Sequence, residues 1–107
     1  MKIKQDENSV SCIWDASIVL SRYLLNESEF PRGFFKNKQI LELGSGCGLS
    51  GIISAFLGAS TILTELGDVM PILKENVERL KQFESKFGEI DCVVEELFWG
   101  NFKSCDF

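Results

Sequence analysis

The residues best equipped for chemistry in this 107-residue chain cluster in and around ILELGSGCGLSGI, Ile40 to Ile52. Gly44, Gly46 and Gly48 follow directly on the run Ile40-Leu41-Glu42-Leu43, and Gly51 comes three residues later. Glycines allow a sharp turn and let another molecule approach the bare backbone. Between a strand and a helix, such a turn aims free N–H groups at one point outside the strand's carboxyl end. Glu65 stands 21 residues after Gly44. An acid at about that distance, closing the next strand, accepts the hydrogens of both ribose hydroxyls. Loop and acid together point to an adenosine-containing cofactor, against the plainer readings of a structural turn and a solvated acid.

The glycines fit two registers. E-x-G-x-G-x-G runs from Glu42 through Gly44, Gly46 and Gly48, and G-x-G-x-x-G runs from Gly46 through Gly48 to Gly51. The glycines alone therefore do not choose the ligand. Glu42 also has two readings, one facing a cofactor ammonium and one as a strand residue paired elsewhere. Trp14 and Trp99 offer flat faces on which a base stacks, worth ~1–3 kcal/mol per base. Burial in the core is the commoner fate of a tryptophan.

Other chemistry is excluded or unsupported. The chain has no histidine, so no serine or cysteine has an imidazole base to activate it. Cys12, Cys47, Cys92 and Cys105 form no C-x-x-C pair. That makes free thiols in a reducing compartment the expectation rather than a zinc site. Sixteen acidic residues against eleven basic ones give a net charge of -5, which argues against a nucleic-acid partner. The start, MKIKQDENS, lacks the apolar core of a signal peptide, and no apolar run is long enough to span a bilayer. The expected setting is cytoplasmic, with no membrane partner and no metal.

The elements that must position these residues follow from periodicity. WDASIVLSRYLL (14–25) reads as a helix with Asp15 at its favourable end, and Pro31 and Gly33 mark a loop. QILEL (39–43) reads as an apolar strand, buried if flanked on both faces. LSGIISAFL (49–57) reads as a short helix closed by Gly58. STILT (60–64) is the next strand. Residues 69–83 are an amphipathic helix capped by Asp68 with Pro71 in its first turn, and 89–97 are a third strand. Helix-β-α-β-α-β asks for a parallel sheet, hence a Rossmann-like α/β fold of one small domain.

Four stretches in order, WDASIVLSRYL, ILELGSGCGLSGI, GASTILTELGDVMPILKENVE and EELFWG, resemble successive motifs of the methyltransferase-like, seven-strand protein-lysine methyltransferases. The resemblance covers nearly all of the chain from about Ile3. It is closest to the group that modifies chaperone-type and AAA ATPases, such as the valosin-containing-protein lysine methyltransferase group. It implies S-adenosyl-L-methionine as cofactor and a protein substrate bearing a target lysine. It also implies contact with the cofactor by Trp14, Gly44, Ser45, Gly46, Glu65 and Trp99.

The chain departs from the family in three places. The family usually has aspartate where Glu65 stands, and glycine near the position of VSC (10–12). It also continues beyond Asp106-Phe107 into a fourth strand and a D-x-x-Y motif beside the substrate lysine. The chain thus reads as 1–107, the N-terminal cofactor-binding part of a single class I methyltransferase domain. Methyl transfer needs an aligned, neutral amine, and an unassisted lysine of pKa about 10.4 is mostly protonated. On that reading the residues that orient and deprotonate it are expected in the part beyond this stretch, so the catalytic residues are unknown. The strand 39–43 is expected to be an unpaired edge. Two alternatives are a catalytically inactive remnant that binds cofactor or partner, and a nicotinamide-dependent oxidoreductase domain. The second lacks a tyrosine-lysine or histidine pair.

Overall fold

A computed structural model describes residues 3–4, 13–83 and 88–100; Cys12, Cys105, the VSC segment and Asp106-Phe107 lie outside the described residues. Three helices and three strands alternate in the expected order: α1 (Asp15–Leu24), β1 (Gln39–Glu42), α2 (Leu49–Phe56), β2 (Ser60–Glu65), α3 (Met70–Leu80) and β3 (Cys92–Glu96). The strands form one parallel sheet in the order β1-β2-β3. Ile40 pairs with Thr61 and Thr61 with Cys92, and at the other end Glu42 pairs with Leu63 and Glu65 with Glu96.

Side chains alternate along a strand, so this register puts Ile40, Glu42, Thr61, Leu63, Cys92 and Val94 on one face. That face carries the core: Ile52 and Ala55 of α2 and Leu73, Val77 and Leu80 of α3 cluster with Leu63 and Cys92. Leu63 and Leu73 are fully buried, each worth about 1.5–3 kcal/mol by removal from water. The opposite face is open among the described residues, with Leu41 52% and Val93 42% exposed. β1 is therefore covered on one face only, not on two. Among the described residues β1 ends the sheet beside β2.

Two helix ends differ in their agreement with expectation. Gly58, at φ 109°, closes α2 as anticipated, its N–H donating to the Ala55 carbonyl at 3.0 Å. Asp68, by contrast, does not cap α3. Val69 occupies that position without a side-chain cap. The turn before it satisfies the backbone instead: Val69 N–H donates to Leu66 O (3.0 Å) and Met70 N–H to Gly67 O (3.3 Å). Pro71 falls at the helix start, where its missing N–H costs nothing.

Candidate cofactor-binding site

The chain leaving β1 is tied to β2 before it turns. Thr64 Oγ1 donates to Glu42 O at 2.6 Å and Ser45 N–H to Thr64 O at 2.9 Å. The turn then runs through Gly44, Gly46 and Gly48 at φ 65°, 60° and 96°, a region that side chains disfavour. Gly48 N–H donates to Ser45 O (2.9 Å), and Gly46 N–H donates to Glu65 Oε2 (2.8 Å). The expectation of several free N–H groups is thus corrected, since Ser45, Gly46 and Gly48 all spend theirs inside the protein. Glu65 is what organises the turn. Its other oxygen accepts from Leu66 N–H at 2.9 Å. A carboxylate accepts about four hydrogen bonds, so both oxygens keep acceptor capacity.

A cleft of about 540 Å³ opens above this turn. Trp14, Gly44, Ser45, Gly46, Glu65 and Trp99, from four separate parts of the chain, all line it. Trp14 is 57% and Trp99 73% exposed, which rules out the core reading for both. A Cβ on Gly44 would sit 3.5 Å from the Trp99 ring, so the bare backbone there forms a floor beside the indole. The sequence reading missed Ser17, Cys47, Leu66, Val69, Leu97 and Phe98 in the lining. Phe98 and Leu97 adjoin Trp99 and were findable on that ground. Val69 falls within the amphipathic helix expected over 69–83, and Ser17 carries no sequence signal.

Gly46 and Gly48 belong to both registers, so the glycines divide by duty and not by register. Gly44 and Gly46 face the cleft, whereas Gly48 and Gly51 are packing positions. A Cβ on Gly48 would come within 2.7 Å of Leu73 Cδ1, and one on Gly51 would collide with Leu63. Glu42 lies on the packing side as well, not among the residues lining the cleft. A Cβ on Gly51 would be 3.0 Å from its Oε1. Burial pushes the Glu42 carboxyl above the ordinary carboxylate range; the Ser45 hydroxyl nearby opposes this and the Glu65 charge adds to it. Glu42 Oε1 and Ser45 Oγ are both buried, and neither closes a hydrogen bond among the described residues. The cofactor-ammonium reading of Glu42 thus gains nothing from its position.

One further polar group touches the turn. Asn76 of α3 is fully buried and its Nδ2 donates to Cys47 O at 2.8 Å. Nothing in the sequence reading singled it out from the helix's solvated residues.

A family model described as lysine methyltransferase matches residues 1–107, the whole chain. The chain belongs to the lysine methyltransferase family. It is similar to Protein N-lysine methyltransferase METTL21A of Danio rerio, 37% identical across 82% of this chain and 37% of that protein. The Mus musculus protein of the same name is 36% identical across 94% of this chain and 44% of its own length. Protein-lysine N-methyltransferase EFM6 of Saccharomyces cerevisiae is 30% identical across all of this chain and 48% of its own length. The chain thus spans less than half the length of these relatives. Family membership disfavours the oxidoreductase alternative. A lysine methyltransferase fold also accounts for the three parallel strands with flanking helices.

Proposed function

We propose that this chain is the cofactor-binding part of an S-adenosyl-L-methionine-dependent protein-lysine N-methyltransferase. The observation that carries the reading is the convergence of Trp14, Gly44, Ser45, Gly46, Glu65 and Trp99 on one cleft. The residues suit an adenosyl group. Two exposed indoles and the Phe98 ring supply flat apolar faces. Glu65 offers two part-used carboxylate oxygens to ribose hydroxyls, and Gly44 and Gly46 leave room against the backbone. When bound, the cofactor supplies an electrophilic methyl on a sulfonium.

The chain's own residues bind and orient. Glu65 fixes the turn with a carboxylate that would also hold the ribose, so the two would be kept in register. With a base between them, the tryptophans and the apolar side chains Val69 and Leu97 would exclude water and so strengthen polar contacts at the rim. Proton removal from the lysine is left to residues outside this cleft.

The substrate in this reading is a lysine on a protein, supported by the names of the relatives. A chaperone-type or AAA ATPase is the specific candidate that the sequence resemblance supports. The setting is cytoplasmic, a reading supported by Cys47 and Cys92 as free thiols. The test is incubation of the full-length protein with methyl-labelled cofactor and a purified chaperone-type ATPase, followed by mapping of the label. Label on a lysine supports the reading; label only on another residue type, or none despite cofactor binding, contradicts it.

A further inference from the structure

We propose that Asn76 is a positioning residue for the glycine turn of the cofactor cleft, a role that rests on the cofactor reading above. Asn76 lies within α3 with no exposed surface, among Leu73, Val77 and Leu80. An apolar side chain would fill this place without the cost of burying an amide. The amide instead uses both of its donors and its carbonyl oxygen. Its Oδ1 accepts Lys4 N–H at 2.8 Å, and its Nδ2 donates to Lys4 O at 3.0 Å and to Cys47 O at 2.8 Å. A main-chain N–H only donates and a carbonyl only accepts, so the three partners fix which way the amide faces.

Cys47 stands between Gly46 and Gly48, both at positive φ, and its backbone is held at the carbonyl by α3. On the other side, Glu65 holds the Gly46 N–H. The two residues therefore clamp the Gly46-Cys47 segment from opposite ends, one at the rim of the cleft and one behind it. Asn76 itself does not line the cleft. Its effect on the cofactor passes through the turn.

The test is calorimetric titration of S-adenosylhomocysteine into the full-length protein, with Asn76→Ala and Asn76→Asp beside the wild type. Alanine leaves the Cys47 carbonyl unpaired; aspartate keeps the shape but sets an acceptor against a carbonyl. Positioning predicts a Kd roughly tenfold weaker per folded molecule with stoichiometry near that of wild type, the effect of losing one buried hydrogen bond. A role confined to stability predicts lower melting temperature and reduced stoichiometry with Kd unchanged, and that result overturns the proposal. A folded wild type that does not bind overturns the cofactor reading and this inference with it. If neither variant folds, amide exchange in the wild type decides. Saturating S-adenosylhomocysteine should slow exchange of the Asn76 side-chain protons severalfold, and unchanged exchange overturns the role.

Discussion

The Glu65 carboxylate lies 2.8 Å from the Gly46 nitrogen and 2.9 Å from that of Leu66 while lining the cleft, so on the proposed function it would serve the turn and the ligand at once. Glu65→Ala should weaken S-adenosylmethionine binding tenfold to a hundredfold, from charge-assisted hydrogen bonds of roughly 1.5–3 kcal/mol, as read by calorimetry. Unchanged affinity would remove Glu65 from the site. Glu42 leads to a different experiment. Its folded pKa is raised by burial, so the folded state holds that proton more tightly than the unfolded state. Stability on this account is full at low pH and falls as pH rises from the ordinary carboxylate value through the raised one. Glu42→Gln should therefore raise the melting temperature at neutral pH, with the gain shrinking as pH falls through the raised value toward the ordinary one. A gain independent of pH would contradict the assignment. Glu65 was legible in the sequence because its spacing from the glycines is set by one strand-helix-strand unit. Glu42 stayed ambiguous because the face it takes depends on how α2 seats against β1, which spacing does not encode.

At the scale of elements, the turn and α2 share one run of glycines with two kinds of duty. Gly46→Val should abolish cofactor binding and leave helical circular dichroism largely intact, since a β-branched residue resists φ 60° within the cleft lining. Normal binding by that variant would make the turn purely structural. Gly48→Ala should act on stability, because its Cβ meets Leu73 Cδ1 at 2.7 Å and φ is 96°. Overpacking of this kind costs about 1–3 kcal/mol, measurable as a shift of the urea midpoint. The order of elements was readable because glycine and proline punctuate it and the apolar residues of α3 recur at helical spacing. The start of α3 was misread. Asp68 has the right chemistry for a cap, but the turn through Leu66 and Gly67 gives those N–H groups backbone acceptors first. Asn76 was illegible for the converse reason: its partners, Lys4 and Cys47, are 72 and 29 residues away.

At the scale of the whole molecule, α2 and α3 cover one face of the sheet, while Leu41 and Val93 stay exposed on the other and β1 forms an edge. An apolar edge strand offers unpaired backbone to any second strand. The 107-residue chain on its own should self-associate, and Leu41→Lys should shift it toward monomer in light scattering; an equal mass distribution for both would contradict this. The same view of the molecule supplies the most direct test of the central claim, that one cleft at the end of the sheet holds an adenosyl cofactor. Both tryptophans of the chain, Trp14 and Trp99, line that cleft and are more than half exposed. The measurement is tryptophan fluorescence of the folded chain during titration with S-adenosylhomocysteine. The account predicts a saturable change in emission, reduced in amplitude by replacing either tryptophan with phenylalanine. A folded chain whose tryptophan emission does not respond at any cofactor concentration would contradict it.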